Sequence, residues 1–277
     1  MTRWNLDTIP WNSFDRSRVH PQLLAFARGA CLVEFNADAY TDYLCRVFGS
    51  DPELQVQFRA WGAEEVRHGL ALKKWAELAD PHFDFERSLA VFRAAYQQVP
   101  EDGGESVRGS RARELVARCI VETGTASYYS ALKDAAQEPV FKEICRLIAQ
   151  DEVSHFNFFR KALDKNYGPK EGLGFPSRFK VVVGRILETS DEELSFAYRA
   201  GNFPDEPIEQ SRAKEYSKDF MRRVSGLYKP EHYGLIVGLT MKVLGIYTGQ
   251  RFRTVLSHIA HRFLCFRYQV TGSLPQA

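Results

Sequence analysis

Trp61-Gly-Ala-Glu-Glu-Val-Arg-His-Gly69 is the stretch on which the reading of this chain turns. It lies within a stripe, Leu54, Phe58, Trp61, Glu65, His68, Leu72 and Trp75, whose steps alternate between four and three residues. That spacing marks one buried face of a helix. At its middle two polar residues, Glu65 and His68, stand where apolar ones are expected. Asp51-Pro52 supplies a cap and a first-turn proline, and Asp80-Pro81 a stop, so a helix is predicted over about 52–79.

Working outward, the same anomaly recurs three times. A helix predicted over Pro21 to Phe48 has Ala27, Ala30, Glu34, Ala37, Thr41, Leu44 and Phe48 in its seam. One over about 111–135 has Leu115, Cys119, Glu122, Thr125, Ala126, Tyr129 and Leu132, and one over about 139–165 has Phe141, Cys145, Ile148, Glu152, His155, Phe159 and Ala162. The two helix pairs are an internal duplication. Cys31-Leu-Val-Glu34 matches Cys119-Ile-Val-Glu122, and Tyr40 and Leu44 match Tyr128 and Leu132. Glu65-Val-Arg-His68 matches Glu152-Val-Ser-His155, with Pro52 matching Pro139. The separation between the lone Glu and the Glu-x-x-His is 31 residues in one half and 30 in the other.

Positions i and i+3 share a helix face, so each Glu-x-x-His presents a carboxylate and an imidazole to one point. Four glutamates in four apolar seams would each carry a desolvation penalty of several kcal/mol if left ionised and unpaired. Two divalent cations balance four carboxylates, and the two imidazoles give each a nitrogen donor. Glu34, Glu65, His68, Glu122, Glu152 and His155 are therefore the expected ligands of a two-metal site, the arrangement of helical di-iron and di-manganese proteins. Mixed carboxylate and imidazole donors suit iron or manganese.

Among the neighbours, Asp151 and Arg67 are candidates to orient the ligand histidines, and Thr125, one turn beyond Glu122, is a candidate hydrogen-bond donor on the oxygen side of the site. Phe35, Trp61, Phe156 and Phe159 read as core side chains or as the lining of a channel for an apolar substrate. Tyr40, Tyr128 and Tyr129 read as core residues or an electron path, and Cys31 and Cys119 as packing.

The composition fits one sizeable soluble protein: 277 residues, 44% apolar and 26% charged, with a net charge of +2 that gives no ground for nucleic-acid binding. Five cysteines without a CxxC pair, and an N-terminus without an apolar core, lead us to expect reduced thiols and a cytoplasmic location. Tyr233 to Gly249, the longest apolar stretch, is broken by Lys242 and glycines and makes a poor membrane span.

With these residues in hand, the chain resembles the ferritin-like di-iron carboxylate superfamily over about residues 30–165, and within it the acyl-carrier-protein (acyl-ACP) desaturases. Trp61 to Gly69 is similar to that family's W-x-A-E-E-N-R-H-G signature, with Gly62 at its open position and a departure at Val66. Glu143-Ile-Cys-Arg-Leu-Ile-Ala-Gln-Asp-Glu-Val-Ser-His155 is similar to its E/Q-I-C-x-x-I-A-x-D-E-x-x-H stretch, and Thr125 and Asp151 fall on matching positions. The family's E-E-A-L-P-T-Y run is matched only at Glu34 and Tyr40, with Phe35 in place of its second Glu.

The resemblance implies an all-α fold: a ferritin-like four-helix bundle with a long crossover between its second and third helices. It also implies two iron ions, with Mn/Fe or di-Mn compatible with the same ligands, and dioxygen as co-substrate. The activity implied is C–H oxidation or desaturation of a carrier-bound acyl chain, with a ferredoxin- or flavin-type electron donor, an acyl carrier protein as partner, and a homodimer. Three alternatives stay open: another di-iron monooxygenase or oxidase, acting on an aldehyde, an amine or a small biosynthetic intermediate; a ferritin- or rubrerythrin-like protein that oxidises iron or removes peroxide; and a non-enzymatic helical scaffold. The place one turn before the second Glu-x-x-His is Ile148, where arylamine oxygenases of the superfamily carry an extra histidine.

Residues 1–20 read as an N-terminal arm, 21–168 as the bundle and 169–277 as a helical extension packed on it. The extension is expected to form helices over Phe175 to Ala200, Pro207 to Val224 and Glu231 to Tyr268, and a connecting helix over Phe85 to Gln98. From His232 onward there is no Asp or Glu, while Lys242, Arg251, Arg253, Arg262 and Arg267 are present. Such a basic face suits an acidic carrier, an acidic electron donor or an anionic membrane surface.

Overall fold

Asp51, Ser110 and Glu138 each precede a long helix and each accepts a hydrogen bond from that helix's first-turn amides, which fixes where the helices begin. The computed structural model describes residues 4–96, 103–188 and 192–268, apart from the side chains of Leu187 and Glu192. It is all-α, with no strand among the described residues. In chain order the helices are α1 (Pro21–Phe35), α2 (Asp38–Val47), α3 (Pro52–Ala79), α4 (Phe85–Ala95), α5 (Arg111–Ala135) and α6 (Pro139–Ala162). They are followed by a short α7 (Gly168–Lys170), then α8 (Phe175–Glu188), α9 (Glu192–Asn202), α10 (Ala213–Ser225), α11 (Pro230–Leu244) and α12 (Gln250–Tyr268). Three 3₁₀ turns, Leu6–Thr8, Trp11–Ser13 and Arg16–Arg18, make up the N-terminal arm.

The predicted helix over Pro21 to Phe48 is broken at Asn36-Ala37, directly after Glu34. Asn36 is a weak helix former, and here its side-chain oxygen accepts a hydrogen bond from Arg93 Nε of α4 at 2.8 Å. That tertiary partner lies far away in sequence. The predicted helix over Glu231 to Tyr268 is also two helices, because Gly245 takes a left-handed conformation at φ 75° and ends α11. Phe175 to Ala200 is described as α8 and α9, with residues 189–191 outside the described residues. Of the connecting helix, α4 ends at Ala95, and Gln97 and Gln98 lie outside them. The helix expected from Pro207 begins at Ala213, after a 3₁₀ turn over Gln210–Arg212.

α1 packs on α3, α3 on α6, and α5 on α6. Two apolar clusters fill the interior. One holds Leu23, Phe26 and Leu32 of α1, Leu72 and Trp75 of α3, Tyr129 and Leu132 of α5, and Phe141 and Ile148 of α6. The other holds Leu44 and Val47 of α2, Phe58 and Trp61 of α3, Leu115 and Cys119 of α5, and Phe156 and Phe159 of α6.

Every one of the four segments thus passes from one cluster to the other at its buried glutamate. The order of passage shows that α1–α2 and α6 run one way and α3 and α5 the other. Two segments of like direction, α3 and α5, must be joined by a long crossover, and α4 lies within it. The later helices complete the same clusters: Tyr198 of α9 and Phe220 of α10 meet Phe26, Phe196 of α9 meets Tyr216 of α10, and α11 packs on α5.

Two glycines let α3 approach its neighbours on either side of Glu65. A Cβ on Gly69 would stand 2.5 Å from the Phe35 amide nitrogen, and one on Gly62 would overlap the Thr41 hydroxyl. The first close approach carries the end of α1, and with it Glu34, against α3. The second brings the Thr41 side chain of α2 against α3.

Candidate metal centre

The six side chains singled out by sequence converge in the interior. Glu34, Glu65, His68 and Glu152 offer ligand atoms within 4.8 Å of one another, and so do Glu65, Glu122, Glu152 and His155. Glu65 and Glu152 belong to both groups, so the arrangement is two overlapping sites with two shared carboxylates and one private carboxylate and imidazole each. All six are buried, from fully enclosed His68 to Glu34 at 7% exposure.

Each imidazole is turned by a carboxylate from the opposite half of the repeat. His68 Nε2 lies 3.1 Å from Asp151 Oδ2, and His155 Nε2 lies 2.9 Å from Glu64 Oε2. An ionised carboxylate only accepts, so each Nε2 carries the donated proton and each Nδ1 faces inward. His68 Nδ1 then stands 3.1 Å from Glu65 Oε2 and 3.3 Å from Glu152 Oε1, and His155 Nδ1 stands 3.1 Å from Glu65 Oε1 and 3.6 Å from Glu122 Oε2. Inward-facing Nδ1 atoms among carboxylate oxygens form a donor set that could hold a metal ion.

Without a cation the electrostatics of this cluster are strained. Burial, with the charge of Glu65, pushes the Glu34 carboxyl up to about 7. Burial likewise pushes Glu122 well above the usual carboxylate range, and Glu152 is raised by burial and by Glu65. For Glu65 burial works in the same direction, but the imidazoles on both sides overcome it and hold this carboxyl well below its ordinary value. Burial disfavours charge on the histidines, yet the surrounding carboxylates raise His68 well above its ordinary value and His155 to about 10. Protons on the imidazole Nδ1 atoms, and neutralisation of the outer carboxylates by protonation, then stand in for a cation.

Even so, close as these groups stand, Glu122 Oε1, Glu152 Oε1 and His155 Nδ1 are buried with no neighbour in hydrogen-bond geometry. Buried polar atoms are normally satisfied. Three orphaned atoms in one cluster, all of types that bind hard or borderline cations, fit a pair of divalent metal ions.

The remaining expected residues fall as follows. Thr125 Oγ1 donates to Glu152 Oε2 at 2.5 Å, fixing a shared carboxylate. Asp151 accepts from His68, from Arg67 Nη2 at 3.3 Å and from Trp4 Nε1 at 2.8 Å. Trp61, Phe156 and Phe159 sit together in the second apolar cluster, and Trp61 meets His155 edge-on. Phe35 is elsewhere, against Phe85. Tyr128 and Tyr129 are buried, and Tyr129 OH donates to Glu34 Oε1 at 2.6 Å. All five cysteines are free thiols.

Glu64 and Trp4 were not anticipated. Glu64 was legible in the duplication, because Glu64-Glu65 aligns with Asp151-Glu152, so the partner of one histidine implied the partner of the other. Trp4 stacks on His68, with ring centroids 5.8 Å apart, and also carries the Arg67 guanidinium over its ring. Nothing in a short arm far from the motif signals that contact.

No protein-family model matches this chain, and no curated protein matches it. Among the described residues, no helix is long and apolar enough to cross a membrane.

Proposed function

We propose that this chain is a ferritin-like four-helix-bundle protein that holds two metal ions, iron first among them, with Glu34, Glu65, His68, Glu122, Glu152 and His155. We propose further that it uses dioxygen to oxidise an apolar organic substrate in the manner of the acyl-ACP desaturases. The observation that carries the reading is the overlap of two buried donor groups on Glu65 and Glu152, with three donor atoms left unpartnered. The shared direction of α3 and α5 and the crossover that joins them support the bundle, since ferritin-like folds have one such long connection.

Iron bound there would supply the redox chemistry on dioxygen that carboxylate-bridged sites perform. The chain's own part is preparation. Asp151 and Glu64 keep the proton on each Nε2, which leaves each Nδ1 lone pair to bind once its own proton departs. Thr125 and Tyr129 hold Glu152 and Glu34 in place by donating to the oxygens that face away from the imidazoles. Trp61, Phe156 and Phe159 wall the His155 side with apolar surface and exclude water from it. Electrons would come from a ferredoxin- or flavin-type partner, and the acyl chain from a carrier protein.

The test is incubation of iron-loaded protein with oxygen, a chemical or enzymatic reductant, and a panel of acyl carriers, free fatty acids, aldehydes and arylamines. One oxidised or unsaturated acyl product, formed in proportion to reductant consumed, is expected. Oxidation of added ferrous ion without any organic product would instead assign a ferroxidase.

A further inference from the structure

The large exposed apolar side chains are not scattered. Apart from Val56, Val107 and Phe203, all of those among the described residues lie on α8, on α12 and at Tyr247 in the turn before α12. On α12 they are Phe252, Val255, Ile259, Phe263 and Phe266, spaced three, four, four and three residues apart, so they form one stripe. The stripe lies on the opposite side of the helix from its buried residue, Ser257. Phe263 is 59% exposed and Phe266 85%. Contiguous apolar surface of this kind on a soluble protein marks an interaction site.

Charge decides the partner. Arg251, Arg262, Arg267 and His258 are exposed beside the stripe, and α12 contains no acid. The nearest acid on the neighbouring helix is Glu231 at the start of α11, within the groove that also contains Arg253 and His258. α10, which also packs on α12, offers Asp219, but that carboxylate already pairs with Arg222 and Arg223. A second copy laid symmetrically on this face would bring two sets of arginines together with no acid on either helix to pair them. A surface that accepts five apolar side chains and supplies many weakly separated negative charges is an anionic lipid bilayer.

We propose that α12 is an interfacial membrane-binding helix. Its phenylalanine, valine and isoleucine stripe enters the boundary between headgroups and acyl chains, while Arg251, Arg262 and Arg267 reach the lipid phosphates. This inference is independent of the metal site and stands or falls separately.

The experiment is co-sedimentation of the full chain with vesicles of phosphatidylcholine alone and of phosphatidylcholine with about one third phosphatidylglycerol, read alongside light scattering of the free protein. Binding to the anionic vesicles, weakened by salt, is expected. The double variant Phe263→Gln/Phe266→Gln should bind about tenfold or more weakly, and Arg262→Gln/Arg267→Gln should lose roughly fivefold for each arginine on anionic vesicles. Helix content and metal content should be unchanged in both, since the substituted side chains point to solvent. Failure to bind anionic vesicles, or equal binding to neutral ones, overturns the proposal. So does a stable dimer in solution that Phe263→Gln/Phe266→Gln converts to monomer, which would make a second copy the occupant.

Discussion

Replacing Glu34 with glutamine is expected to act in opposite directions on the metal-free and metal-loaded protein. In the metal-free fold the Glu34 carboxyl is raised from 4.5 to about 7. A carboxyl whose folded-state value is raised costs nothing below about pH 4.5, where it is protonated in both states. The cost grows as pH rises and is complete above about pH 7. From 4.5 to about 7, at about 1.4 kcal/mol for each pH unit, the cost is on the order of 3 kcal/mol. Glutamine imitates the protonated form and keeps an oxygen for the Tyr129 hydroxyl, so metal-free Glu34→Gln should match the parent at pH 5 and exceed it at pH 8. At roughly 2 to 4 °C per kcal/mol, the difference at pH 8 is about 6 to 12 °C in melting temperature. With ferrous or manganous ion added the order should invert, because the parent gains from binding while the variant lacks one of its private carboxylates. Scanning calorimetry at both pH values, with and without metal, measures all four states. A metal-free variant less stable than the parent at pH 8, or equal stabilisation of both by metal, would refute the reasoning.

The carboxylates behind the histidines should matter at a distance from the metals. Glu64→Gln and Asp151→Asn are each expected to weaken metal affinity by about 10- to 100-fold, measured by competition with a chromophoric chelator, with little change in helix content. Gly69→Ala drives a methyl into the Phe35 backbone, so it should destabilise by roughly 1 to 3 kcal/mol despite alanine's better helix propensity, read by urea unfolding. Loading at pH 7 should release protons. His155, raised to about 10, and His68, raised well above its ordinary value, both arrive charged. Calorimetric titration in buffers of different ionisation enthalpy should then find about two or more protons displaced per chain, and affinity climbing with pH.

How much of this was legible depended on whether the cause was local or tertiary. The four glutamates and two histidines could be read because they interrupt regular apolar seams and because the duplication repeats them in phase. Glu64 followed from the same duplication, yet it reads as an ordinary surface acid until its partner across the repeat is known. The break at Asn36 was not legible, since it depends on Arg93, and the Trp4 contact joins residues with no pattern in common. Gly245 could have been read as a helix end, but the apolar run on both sides concealed it. Phe35 looked like its aromatic neighbours in sequence, and only the packing against Phe85 separates it from Trp61 and Phe159.

The central claim is most directly tested by the metal content of the purified chain after anaerobic loading with ferrous ion and removal of excess. Two ions per chain are expected. Glu65→Ala and Glu152→Ala should each lower loading at both positions, because each residue belongs to both donor groups. No retained metal in the parent, or two ions retained by either variant, would contradict it.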